Sequence, residues 1–181
     1  MVGVFVGIGL AFLMAFKPHL ARFVAPIYAL AQGVFVGSVS RAFEEFYDGI
    51  VIQAAGATMA VTAVMLGMYL TGIIRVTDRF RKIVISATLG LMVFYLVTWV
   101  FSLFGGNVSF LSSPSLMSIG FSVLVVGLAA MNLALDFDFI ERGAQSGLPK
   151  HFEWFAAFGL LVTLVWLYLE LLRLLAKMRD R

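Results

Sequence analysis

The chain has 181 residues, of which 62% are hydrophobic and only 13% are charged. Soluble domains are about 45–50% apolar, so a water-soluble enzyme of this composition could not hide its apolar surface. Disorder is excluded as well, because it needs low hydrophobicity and a high charge load. The absence of cysteine excludes disulfides, thiolate metal sites and cysteine nucleophiles. A net charge of +3 is typical of basic loops beside a membrane and does not indicate a nucleic-acid partner.

Six apolar runs are candidates for spans of a hydrocarbon core about 30 Å thick, which takes roughly 20 residues. None of them alternates apolar and polar residues as the strands of a membrane barrel do. The connections between them leave no room for a soluble domain, so we predict an all-α transmembrane bundle in which residues 1–181 form one domain, with the lipid bilayer as its surroundings. In chain order the predicted spans are 2–16, 24–40, 50–74, 83–104, 116–135 and 155–172.

The first run, Val2–Phe16, lacks the basic start and the small-residue cleavage site of a signal peptide, so we interpret it as a span. At 1.5 Å per residue it reaches only about 22 Å, which is short for a bilayer. We therefore expect that the chain lacks its natural beginning. The pentapeptide Gly-Val-Phe-Val-Gly occurs at 3–7 and again at 33–37, a spacing that favours plain helix packing, with a dimerisation face as the alternative.

Lysine and arginine in short loops favour the cytoplasmic side and so predict the orientation. The loops after the first, third and fifth spans carry eight of these residues, whereas the opposite side carries five. We therefore predict that those three loops are cytoplasmic. The basic C-terminal tail falls on the other side, either because a helix end complements its own dipole or because the last helix does not fully cross.

The end of the fifth span carries the most informative polar residues, because ionisable groups at membrane depth are costly. At 100° per residue, Asn132 and Asp136 share one face, whereas Asp138 groups with Glu141 and Arg142. We interpret the second group as an interfacial charge cluster on the cytoplasmic side, with a structural role. Asp136 is expected to lie deeper and to face the bundle interior or the lipid. Burial would favour its neutral form and make it sensitive to protonation.

The sixth span carries one acidic residue, Glu170, and Thr163 lies about 20° from the same face. Glu170 can also pair with Arg173 one turn later, so a helix-end ion pair is an equally good interpretation. His19 and His151 lie in loops, without the spacing of a zinc-protease pair, and no serine occupies a nucleophile elbow. We therefore predict no enzymatic activity and no cofactor.

A family resemblance is carried by residues 136–141 and 153–175, together with 25–30, 49–54 and 71–77. These segments resemble the bacterial branch of the Bax inhibitor-1 family, the Bax inhibitor-1/YccA type. The resemblance covers essentially the whole chain and is most specific in the closing segment. It implies a bacterial plasma membrane protein with seven helices, the last of them central, so that the chain would be truncated before its first span.

The resemblance implies a pH-sensitive calcium leak in some members, and modulation of a membrane protease or of stress and cell-death responses in others. In calcium-leaking members an aspartate matching Asp136 is hydrogen-bonded to a second aspartate in the last helix, and that second position falls on Thr163 here. A threonine can bond a carboxyl group but cannot share a proton as a second acid.

Two functions follow as expectations. The first is an ion pathway or pH sensor that conducts Ca²⁺ and is formed by Asp136, Thr163, Glu170 and Asn132. The second is a non-conducting regulatory protein whose partners are a membrane protease or other membrane proteins. The oligomeric state is left open.

Overall fold

A computed structural model of the protein describes residues 18–104 and 115–181, which form five α-helices and contain no strand. All five helices are long and apolar enough to cross a membrane. The prediction of an all-α membrane bundle is confirmed for these residues, whereas the first predicted span, Val2–Phe16, lies outside them. The helices are α1 (Ala21–Phe46), α2 (Ile50–Leu70), α3 (Asp78–Leu103), α4 (Leu116–Gln145) and α5 (His151–Arg179), preceded by a 3₁₀ turn at Pro18–Leu20.

Most of these helices extend beyond the apolar runs that predicted them. α4 continues from the predicted end at Leu135 to Gln145, and α5 runs from His151 to Arg179 rather than over 155–172. A helix satisfies its backbone hydrogen bonds internally whatever its side chains, so its polar end turns stay helical where they leave the hydrocarbon. Apolar runs therefore locate the spans but underestimate the lengths of the helices.

The connection between α2 and α3 shows how local sequence sets helix ends. α2 stops at Leu70, before the predicted end at residue 74, because Gly72 adopts the left-handed conformation with a φ of +72° that terminates helices. α3 then begins at Asp78, before the predicted start at residue 83. The hydroxyl of Thr77 accepts a hydrogen bond from the backbone nitrogen of Phe80 and caps the new helix.

α5 occupies the centre of the described bundle and packs against α4, α1 and α2. This is the position that the family resemblance implies for the last helix. The main core cluster lies where α2, α4 and α5 meet and includes Met65, Leu133 and Leu167. α3 is the most peripheral helix, because it packs chiefly on α4 and buries only Val84 and Leu91.

The helices alternate in direction, so the connections lie at two ends of the bundle. The Arg81 end, as we call it, contains the start of α1 and the connections 71–77 and 146–150. The C-terminal end contains the connection 47–49 and the end of α5, where Arg179 donates to the backbone oxygen of Asp48 at 2.8 Å. α5 therefore runs from one end of the described bundle to the other.

The outer surface is apolar, as expected for contact with lipid. Leu30 and Val34 on α1 are each 74% exposed, an arrangement that would promote aggregation in water. Gly33 and Gly37, the glycines of the second Gly-Val-Phe-Val-Gly copy, lie on the same helix, and a Cβ added at either would meet no atom within 4 Å. The two glycines of this copy therefore make no close contact with another described helix, and the first copy lies outside the described residues.

Candidate functional site

Two cavities follow the groove between α3, α4 and α5. The first cavity has a volume of about 500 Å³ and is partly open. Its polar lining comes from Arg81 on α3 and from Asn132, Asp136 and Arg142 on α4. The shared face predicted for Asn132 and Asp136 therefore points into a cavity within the bundle.

The second cavity has a volume of about 440 Å³ and lies toward the C-terminal end. Asn132 lines it as well, so one side chain borders both cavities. Thr163, Glu170 and Tyr95 supply most of the remaining polar lining. The four residues predicted to form an ion pathway are thus distributed over two cavities that share Asn132.

Asp136 is half-buried, and its carboxyl group is poorly satisfied. Its Oδ2 atom is buried and has no hydrogen-bond partner. Its Oδ1 atom faces the α5 backbone at Gly159, where an added Cβ would lie 3.7 Å away. The Thr163 side chain lies beside the carboxyl group, but its hydroxyl donates to the backbone oxygen of Gly159 at 3.3 Å. A buried oxygen without a partner is costly, and a proton, a water molecule or a cation would remove that cost.

Asn132 is held in place by two hydrogen bonds from its amide nitrogen. One goes to Thr88 Oγ1 at 2.9 Å and joins α4 to α3, and the other goes to the backbone oxygen of Leu128 at 2.9 Å. Both bonds fix the amide at the point that the two cavities share. Asn132 is therefore a positioned polar group rather than a freely rotating side chain.

Glu170 is buried on α5, with 3% of its surface exposed. It accepts hydrogen bonds from Arg173 Nη1 at 3.0 Å and from the Tyr95 hydroxyl at 3.3 Å. The structure thus contains the helix-end ion pair that the spacing allowed, and it adds a tyrosine from α3. Because its carboxylate already has two partners, Glu170 is a weaker candidate for binding an ion than Asp136.

Asp138 is buried between two guanidinium groups. Arg81 Nη2 lies 2.5 Å from its Oδ2 atom, and Arg142 Nε lies 3.0 Å from Oδ1 and 2.9 Å from Oδ2. The sequence predicted an interfacial Asp138 and a deeper Asp136, whereas Asp138 has the more buried side chain. Asp138 can be buried because its charge is paired and hydrogen-bonded on both oxygens.

Glu141 does not join Asp138, although the helical spacing grouped the two. It accepts a hydrogen bond from the Tyr69 hydroxyl on α2 and another from Gln145 Nε2 at 3.0 Å. The predicted cluster of Asp138, Glu141 and Arg142 is therefore two separate contacts, one toward α3 and one toward α2.

Three residues of the site were missed from sequence. Arg81 falls in the connection between the predicted spans 50–74 and 83–104, but Thr77 caps α3 and places Arg81 in its first turn. A threonine before an acidic residue and an apolar run is a helix-start signal that could have indicated this. Thr88 and Tyr95 lie seven residues apart on one face of α3, and that spacing was the only signal for them. Within the two described ranges, no group of three or more histidine or acidic side chains is placed to hold a metal ion.

Five membrane-length helices packed around a central α5, with polar cavities in one groove, define a polytopic integral membrane protein. The family model described as Bax inhibitor 1 like matches residues 1–180. The chain therefore belongs to this family. No curated protein and no solved structure is significantly similar to the chain.

Proposed function

We propose that the protein is a cation leak channel of the bacterial plasma membrane, with Asp136 as its protonatable element and Ca²⁺ as the transported ion. The observation that carries this proposal is the buried, unpartnered Oδ2 atom of Asp136 in the wall of the first cavity. Intramembrane carboxyl groups without a structural partner are typical of ion and proton pathways.

The arrangement of the two cavities supports a route for the ion. A cation in the first cavity would meet Asp136 on its wall. It would pass Asn132, which borders both cavities, and reach the polar lining at Thr163 and Glu170. Hydroxyl, amide and carboxylate oxygens are the ligands that hard cations such as Ca²⁺ prefer.

The proposal includes a direction for the pH dependence. Besides Asp136, the charged groups that line the first cavity are Arg81 and Arg142, while the described part of α5 places Gly159 and Thr163 beside Asp136 and adds no charge to this lining. An ionised Asp136 attracts a cation, and a protonated Asp136 does not. Flux should therefore increase as pH rises. With threonine at position 163, we expect one carboxyl group, and not a coupled pair, to titrate.

The test is calcium flux into liposomes that contain a calcium indicator and the purified protein. Wild type and Asp136→Asn are compared between about pH 6 and pH 8, a range in which a perturbed carboxyl group can titrate. We expect wild-type flux to rise with pH and Asp136→Asn flux to stay flat. Glu141→Gln is the matched control, since it removes an exposed acid outside both cavities and should behave as wild type.

Two results would contradict the proposal in different ways. Flux equal to that of protein-free liposomes at every pH would exclude a channel and favour the non-conducting regulatory function, with a membrane protease or another membrane protein as partner. A pH-dependent flux that Asp136→Asn leaves unchanged would keep the channel but remove Asp136 from its mechanism.

A further inference from the structure

Arg81 and Arg142 lie at the open side of the first cavity, which we call its mouth, and they give it an excess of positive charge. Arg81 and Arg142 share the single carboxylate of Asp138, and 39% and 54% of their side chains are exposed. Two guanidinium groups against one paired carboxylate leave one positive charge at the mouth, while Asp136 lies on the cavity wall.

The surrounding sequence strengthens this positive field. Residues 75–82 contain four basic residues and one acidic residue, Asp78, which is exposed and outside the cavity lining. Guanidinium groups present planar pairs of donors that match a phosphate group. The charge at this mouth is therefore complementary to a phosphate that carries negative charge.

The wall of the cavity beyond the arginines is apolar and partly exposed at the surface of the described bundle. Ile85 on α3 is 44% exposed, and Phe139 and Leu148 are each 41% exposed. These side chains would rest against hydrocarbon in a membrane, and together with Leu135 and Phe155 they form the non-polar part of the lining. A ligand that fits the whole cavity combines an anionic head with an apolar tail.

We propose that the mouth of the first cavity binds an anionic phospholipid, with the phosphate at Arg81 and Arg142 and an acyl chain along the apolar wall at Ile85 and Phe139. Basic pockets between membrane helices bind acidic headgroups in this manner, and the apolar wall favours a lipid over free phosphate. The proposal concerns binding and does not depend on whether the protein conducts ions.

The experiment measures lipid retention by the purified full chain in neutral detergent, with equal amounts of phosphatidylglycerol and phosphatidylcholine, by native mass spectrometry. The key variant is Arg81→Gln, because Arg142 still pairs with Asp138 at 2.9 Å and no buried charge is left alone. Arg142→Gln is the second variant, because Arg81 still pairs with Asp138 at 2.5 Å. Arg79→Gln is the matched control, since it removes the same charge from the same helical turn but does not line the cavity.

We expect wild type to retain phosphatidylglycerol in preference to phosphatidylcholine. The preference should fall about fivefold in Arg81→Gln and in Arg142→Gln, since a basic residue near an acidic headgroup contributes about 1 kcal/mol. It should change less than about twofold in Arg79→Gln. A lipid that binds at this mouth should also remain bound when inorganic phosphate is added at millimolar concentration.

Three outcomes would overturn the proposal. An equal loss in Arg79→Gln and Arg81→Gln would show that overall charge alone attracts the lipid. Displacement by inorganic phosphate would show a site for the free anion. No preference in wild type would show that the mouth does not select an anionic headgroup. None of these results depends on calcium flux, so this proposal and the channel proposal can fail separately.

Discussion

Asp136 and Asp138 lie two residues apart on α4 but have opposite environments. Asp138 is buried and has guanidinium nitrogens within 3.0 Å of both oxygens. Asp136 is less buried, yet its Oδ2 atom has no partner. The difference shows that the depth of an acid does not by itself indicate its role. An acid stabilises the structure when neighbouring helices provide hydrogen-bonding or charged side chains that pair with it. Without such side chains, the acid stays available for a ligand.

The two environments have a geometric origin. Residues two apart on a helix point about 200° away from each other. Asp138 therefore faces α3 and its first-turn Arg81, whereas Asp136 faces α5 at Gly159, which has no side chain to offer. The first acid is neutralised across the helix interface, and the second borders a cavity.

The largest effect on stability should come from Asp138→Asn. The substitution leaves two guanidinium groups without their shared carboxylate, and we expect the free energy of unfolding to fall by about 2–3 kcal/mol, below the usual loss for a fully buried pair because both arginines reach solvent. Equilibrium unfolding in mixed micelles measures this loss. Glu141→Gln is the control and should cost less than about 1 kcal/mol. Equal losses in the two variants would contradict the assignment of Asp138 as the structural acid.

Asp136→Asn should have a smaller effect on stability, because no ion pair or direct hydrogen bond to its buried oxygen is lost. We expect a change of less than about 1 kcal/mol in the same unfolding measurement, since both side chains are polar and similar in size. A loss as large as that of Asp138→Asn would show that Asp136 has a structural partner after all. The contrast between the two aspartates would then disappear.

Thr88→Val tests whether the amide shared by the two cavities is fixed by α3. The variant removes the acceptor that Asn132 Nδ2 reaches at 2.9 Å but keeps the bond to Leu128. We expect a loss of about 0.5–1 kcal/mol, which is the usual size of a hydrogen bond between membrane helices. Thr88→Ser retains the hydroxyl and should lose less than half as much. An equal loss in both variants would mean that the methyl group matters rather than the hydrogen bond.

The smallest expected effect is a change in the pKa of Tyr47, which contacts the carboxylate of Asp180. Asp180 lies outside the helices, where water competes for the carboxylate. Tyr47 donates a hydrogen bond to Asp180 Oδ1 at 2.5 Å at the C-terminal end. The carboxylate of Asp180 raises the pKa of Tyr47 by accepting this bond. In Asp180→Asn the pKa of Tyr47 should fall toward its ordinary value, as measured by NMR titration of labelled tyrosine with Tyr47→Phe for assignment. An unchanged pKa would show that this contact does not persist in solution.

Contacts within one helix were predictable from spacing. Asp138 with Arg142 at i+4 and Glu170 with Arg173 at i+3 both form ion pairs. Contacts between helices were not predictable. Arg81 and Asp138 are 57 positions apart in sequence, and no local pattern connects them. The position of Arg81 depended on where α3 begins, and the apolar run alone placed that start five residues too late.

The sequence by itself determined that this protein lies in a membrane as an all-α bundle, because apolar runs of about 20 residues have no other stable environment. It also determined the family, since the resemblance extends over the whole chain and residues 1–180 match the family model. Only the tertiary structure decided which aspartate is paired, which faces a cavity, and that Asn132 links two cavities. Those outcomes depend on which faces of α3, α4 and α5 meet. Helical periodicity shows which residues of one helix share a face, but it does not show which neighbouring helix that face contacts.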